Sequence, residues 1–138
     1  MLIFMSSAQE PPAVRWQPSA PAFHTRELKA EEDSVRSFLP ARVVTYLGSH
    51  EGCGCGFQGA DPELEHEEEQ KVSARQSLQS LRRFVAEQLK HQTRLWLYAS
   101  ESDDLALGVR STRTVTPRDL DPDSFYFRNG ELIEVRAA

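Results

Sequence analysis

The residues best suited to chemistry lie in one short stretch, His50-Glu51-Gly52-Cys53-Gly54-Cys55-Gly56-Phe57, with His66 following further along. Thiolate and neutral imidazole are the donors of a tetrahedral zinc-type site, so His50, Cys53, Cys55 and His66 form a candidate metal-ligand set, with zinc as the cofactor it would hold. The spacing is unusual for that purpose. Structural zinc knuckles leave about two to four residues between cysteines and come as two pairs, whereas here a single residue separates the only two cysteines of the chain. A thiol redox site is a second reading, in which Cys53 and Cys55 close a small-ring disulfide or one of them serves as a thiolate. The acidic run that follows disfavours a thiolate unless His50 is protonated beside the sulfur. A third reading needs no ligand: small residues let the chain turn sharply, and the cysteines are compact apolar side chains tucked against a core.

Other motifs fail at a defining position. His66-Glu67 starts like a zinc-protease helix, but the place of the second histidine is taken by Gln70. Ser49 lacks the Gly-x-Ser-x-Gly frame of a nucleophile elbow. The glycines of the loop expose backbone N–H groups that suit an anion nest, yet neither phosphate-loop pattern is present and the local charge is negative. Asp61, Glu63, Glu65, Glu67, Glu68 and Glu69 form a run with no Lys or Arg among them, which reads as a solvated segment. Arg75, Arg82, Arg83 and Lys90 lie along one helical stretch, where cations near a helix C-terminus answer its dipole without any nucleic acid. Trp16, Trp96, Phe125 and Phe127 read as core or sheet-covering aromatics rather than stacking platforms. His24 and His91 stand alone and read as surface or helix-end residues.

The elements that must position this loop follow from periodicity. Leu2–Met5 predicts a short buried strand, and the prolines at 11, 12, 18 and 21 make the rest of residues 1–22 a loop or an extended wrap. Glu27–Phe38 predicts a surface helix anchored by Leu28, Val35 and Phe38 and stopped by Pro40. Ala41–Leu47 is β-branched and aromatic, a strand that delivers the chain into the glycine loop. Ala74, Leu78, Leu81, Val85 and Leu89 fall on one stripe, widened by Phe84, and predict a long amphipathic helix over Ser73–His91. Its start is placed at Ser73 with Gln76 as a capping box, leaving residues 61–72 as an acidic loop or helix start. Leu95-Trp96-Leu97-Tyr98 is apolar on both faces, as expected of a central strand within Thr93–Ala99. Leu105–Val109 is a weaker strand candidate, and Thr116-Pro117-Arg118-Asp119 reads as a capped single helical turn. Asn129-Gly130 between Phe125–Arg128 and Glu131–Arg136 predicts a C-terminal β-hairpin, with Arg128 facing Glu131 and Tyr126 facing Ile133.

The expected fold is therefore α+β: a single domain over 1–138, its long helix packed on a mixed or antiparallel sheet that ends in a C-terminal hairpin. With 138 residues, 39% hydrophobic and 27% charged, the chain can bury a core without a disulfide or metal staple. Its 16 basic against 21 acidic side chains give a net charge of −5 and a pI near 5.4, a field that repels nucleic acid and anionic membranes. No apolar run approaches the roughly 20 residues of a membrane span. Met1–Met5 lacks the basic flank and length of a signal segment, and two cysteines do not make a secreted framework, so a cytoplasmic protein is expected. No catalytic constellation is visible, and the expected role is that of a small soluble, non-catalytic binding or regulatory protein acting through a protein partner. The alternatives are the zinc-type metal protein and the thiol redox protein described above.

Overall fold

A computed structural model describes residues 1–138. Six strands form one mixed sheet: β1 (Leu2–Ser7), β2 (Phe23–Arg26), β3 (Val43–Ser49), β4 (Arg94–Ser100), β5 (Ser111–Val115) and β6 (Glu131–Arg136). One helix, α1 (Glu68–Gln88), crosses it. The strand order is β2-β3-β1-β4-β6-β5, antiparallel throughout except for the parallel pair of β5 and β6.

β1 lies in the interior of the sheet because Ile3, Phe4 and Met5 are apolar on both faces and have no solvent exposure. Ile3 stands between Leu47 and Ala99, and Phe4 between Tyr46 and Tyr98. On the first face, Ile3, Met5, Leu47, Leu95, Leu97 and Ile133 meet Leu78, Leu81, Val85 and Leu89 of α1. Each such side chain contributes roughly 1.5–3 kcal/mol on leaving water, which makes this stripe the main tie between helix and sheet. The second face carries Phe4, Val44, Tyr46 and Tyr98, covered by Val35, Leu39 and Leu105. Both faces are thus buried, as the apolar run in β4 requires.

The residues expected to form a surface helix over Glu27–Phe38 make a 3-10 helix over Ala30–Ser37 instead, which buries its own Val35. The long helix begins earlier than Ser73. Gln70 folds back so that its Oε1 accepts the Glu67 backbone N–H at 3.0 Å, and Glu68 and Glu69 occupy the first turn, where negative charge suits the helix dipole. The acidic run is consequently split between a loop and a stabilised helix start. Thr116–Asp119 forms the single turn expected of it, with the Thr116 N–H donating to Asp119 Oδ2 at 2.8 Å.

Two expected strand arrangements are corrected and one strand is added. The strand expected at Leu105–Val109 is displaced: Leu105 closes the second face from a 3-10 helix over Ser102–Leu107, and the strand follows at Ser111–Val115. β2 was not apparent from sequence. Its outer edge is covered by the proline-rich wrap, where Thr25 N–H donates to the Val14 carbonyl at 2.8 Å and Thr25 Oγ1 accepts the Val14 N–H at 2.9 Å. The C-terminal hairpin is absent. β6 pairs with β4 and β5, and residues 125–128 form no strand. The buried Gln58 amide takes the place of a partner strand, donating to the Phe127 carbonyl and accepting the Phe127 N–H, both at 2.7 Å. Gly130 takes φ +77° while Asn129 does not enter the left-handed region, so the type I′ geometry is not formed. Residues 116–130 serve instead as the long crossover that a parallel β5–β6 pair needs.

Candidate functional site

The loop leaving β3 is built by close packing. A Cβ at Gly54 would run into the Ile3 side chain, and one at Gly56 into the Ser49 hydroxyl, so glycine lets the backbone lie directly on β1 and β3. The loop is tied down by the Gly54 N–H to the Met1 carbonyl at 2.8 Å, Ser49 Oγ to the Cys53 carbonyl at 2.5 Å, and the Tyr46 hydroxyl to the Gly52 carbonyl at 2.6 Å. Gly54 and Gly56 are thus explained by steric fit to the sheet, and Gly52 by its φ of +84°.

The four residues nominated as ligands separate into different environments. His50 turns toward α1: its Nδ1 lies 2.8 Å and its backbone N–H 3.1 Å from Ser77 Oγ. Ser77 Oγ donates its only proton to the Ala22 carbonyl at 2.5 Å, so Nδ1 of His50 must carry the proton that closes its own contact. Burial pushes His50 below the usual histidine range, with Glu51 pulling weakly the other way. Ser77 is fully buried and its hydroxyl is consumed, which leaves this Ser–His pair a structural clasp rather than a nucleophile and base. His66 Nε2 lies 3.1 Å from the Gln58 carbonyl. Cys53 and Cys55 are free, half-buried thiols, and Cys55 Sγ accepts a hydrogen bond from the Met1 ammonium at 3.2 Å. Burial, more than the adjacent Cys55 thiol, raises the Cys53 thiol above its ordinary value. No group of three or more His, Cys, Asp or Glu side chains is placed to hold a metal ion. The structure therefore directs both imidazoles elsewhere, His50 to Ser77 and His66 to the Gln58 carbonyl, and sets Cys55 against the Met1 ammonium.

A second region was not apparent from sequence. The wrap and α1 form the two walls of an open groove of about 570 Å³. Its floor includes Val14, Ala22, Phe23 and Phe84, with the Phe23 and Phe84 rings 5.1 Å apart. Arg15 and Arg83 stand on its rim, and Arg83 continues with Arg82 and Gln79 onto an adjoining depression. A further depression of about 450 Å³ shares Ala20, Ala22, Ser80 and Arg83 with the groove and reaches His50. Nine of the other basic side chains are tied to acids, among them Arg26 to Glu32, Arg75 to Asp123, Lys90 to Glu87 and Arg113 to Glu131, while Lys29, Arg42, Arg118 and Arg128 are unpaired but do not line this groove. Arg15, Arg82 and Arg83 make no ion pair. The helix-dipole account of the basic stretch does not reach Arg82 and Arg83 either, because the last turn of α1 contains no basic residue. Their adjacency was legible in the sequence; that a proline-rich segment more than fifty positions away would supply the opposite wall was not.

A separate cleft of about 460 Å³ is lined by Met1, Cys55, Gln58, Glu101, Tyr126 and Arg128 among others. No helix of the chain is long and apolar enough to cross a membrane. Compared with protein-family models, with curated proteins and with solved structures, the chain matches none.

Proposed function

We propose that this protein is a binding module that receives an acidic, partly apolar segment of a partner protein in the groove between the N-terminal wrap and α1. The observation that carries this reading is the apolar groove bordered by Arg15 and Arg83, with Arg82 on the depression beside it, all three free of carboxylate partners in a chain whose net charge is −5. Local positive charge held against the overall field raises the concentration of an acidic partner at that one place. The apolar floor gives alternate side chains of the partner a dry contact, which a small free anion would not use. Nucleic acid fits less well, since three arginines neutralise few phosphates while the rest of the surface repels the others.

The test is fluorescence anisotropy of a labelled peptide alternating Glu with Leu or Phe, beside a peptide in which Lys replaces Glu. The acidic peptide binds, binding weakens as salt rises from about 50 to 200 mM, and Arg82→Glu/Arg83→Glu weakens it at least about tenfold, or 1.4 kcal/mol. Equal binding of the basic peptide, or affinity untouched by the double reversal, overturns the proposal. Concentration-dependent self-association lost in the same variant would overturn it too, by assigning the groove to the acidic run of a second copy.

A further inference from the structure

We infer that the acidic segment received by the groove is read at a phosphorylated side chain, whose phosphate seats in the depression beside the groove that Gln79, Arg82 and Arg83 line. The inference rests on the reading of the groove as a peptide site and deepens it by naming the group that the arginines recognise. These three side chains alone line the depression, which has a volume of about 320 Å³. They stand at positions i, i+3 and i+4 of α1, the spacing that brings side chains together on one helix face. Each carries N–H donors, and none of the three donates to any other group of the chain.

Charge and donor number select a phosphate over a carboxylate. Arg82 and Arg83 hold two adjacent positive charges that no acid answers; Glu87, one turn beyond Arg83, is bound to Lys90 at 2.8 Å. A carboxylate brings one negative charge and fills one guanidinium fork, which leaves the second arginine and the Gln79 amide without an acceptor. A phosphoryl group brings a charge of about −1.5 to −2 at neutral pH and three acceptor oxygens, enough to occupy all three side chains. No Asp or Glu lines this depression, the groove, or the depression that reaches His50, although the chain has 21 acidic residues. The cleft of Met1 and Cys55, by contrast, takes Asp61, Glu63 and Glu101 into its walls. Arg83 belongs to the groove and to the depression alike, so a segment whose apolar side chains lie on Phe23 and Phe84 meets the phosphate subsite without a break. A free phosphate ion gains nothing from that apolar floor, which ties the subsite to a peptide.

The experiment is fluorescence anisotropy of the full chain with labelled peptides that alternate Glu with Leu and differ at one position, which holds phosphoserine, Glu or Ser and is moved along the peptide in successive sets. In the best set the phosphoserine peptide binds at least about tenfold more tightly than its Glu counterpart (1.4 kcal/mol), and the Ser peptide is the weakest. The ratio of phosphoserine to Glu affinity falls below about threefold in Gln79→Leu and in Arg82→Lys, the latter keeping the charge but losing the fork. Arg118→Ala, which removes an unpaired cation outside the groove, keeps the full ratio, and circular dichroism confirms that each variant is folded. Glu peptides that bind as tightly as the phosphoserine peptides in every set overturn the inference and leave the groove a site for acidic segments in general. No binding of any peptide overturns both readings. A ratio that survives Gln79→Leu and Arg82→Lys, or inorganic phosphate that displaces the peptide at concentrations near the peptide's own Kd, overturns the inference by placing the recognition elsewhere or by making it independent of the floor.

Discussion

Two sets of arginines divide the molecule. Arg26 and Arg113 are paired with carboxylates that have almost no exposure: Glu32, 4% exposed, accepts both Arg26 Nη1 at 2.7 Å and Nη2 at 2.9 Å, and Glu131, 3% exposed, lies 3.0 Å from Arg113 Nη2 as an ion pair without a hydrogen bond, while that Nη2 donates to the Tyr126 carbonyl at 3.1 Å. Burial works against the ionised Glu32, yet Arg26 and the Lys29 N–H hold its carboxyl below the ordinary range. Both guanidinium groups also lie over aromatic rings, Arg26 over Tyr46 at 3.5 Å and Arg113 over Phe125 at 4.8 Å. Arg82 and Arg83 have no such partner; Arg83 borders the open groove and Arg82 the depression beside it. The contrast separates cations that the fold needs from cations that the fold leaves available.

The largest expected effect lies in the locked set. Glu131→Ala strands a partly buried guanidinium and costs about 3–4 kcal/mol of unfolding free energy in urea titrations, toward the low end for a broken buried pair because the Arg113 side chain is 33% exposed. A joint replacement, Arg113→Met/Glu131→Leu, recovers most of that loss, since the charge and its desolvation leave together. A cost for Glu131→Ala no larger than that of an ordinary surface change would dissolve the distinction between the two sets.

Gln58→Ala is the next in size, about 2–3 kcal/mol by the same measurement, because it leaves the Phe127 N–H and carbonyl without partners. This contact also explains what the sequence could and could not convey. Strands at β1, β3 and β4, the stripe of α1 and the Pro117 turn are local patterns, and each is found within a few residues of its expected place. The Asn129-Gly130 turn is an equally local signal, but a glutamine distant in sequence satisfies the Phe127 backbone and removes the need for a paired strand. β2 has only four residues and depends on the wrap for its outer partner, so no periodicity announces it. At the glycine loop, the positions of the thiols and imidazoles along the chain were legible; their directions were decided by Ser77 and Gln58, which no spacing rule connects to them.

A shallower effect is expected from pH. His24 is pushed below the usual histidine range by burial first and by Arg26 second, and His50 likewise by burial. The unfolded chain therefore takes up protons near pH 6.5 that the folded protein refuses, so stability is fullest above about pH 7 and falls as pH drops through 6.5. The loss levels off below the folded values. Urea midpoints between pH 7.5 and 5.5 should show this slope in the wild type and a flatter one in His24→Asn; equal slopes would remove His24 from the account.

The most direct test sets both properties of the free arginines against each other in one variant. Arg82→Glu/Arg83→Glu should unfold within about 0.5 kcal/mol of the wild type, as surface changes away from structural contacts do, and yet lose its affinity for the acidic peptide. A variant that unfolds several kcal/mol more easily, or one that keeps both its stability and its grip on the peptide, would contradict the claim that these cations are held in reserve for a partner.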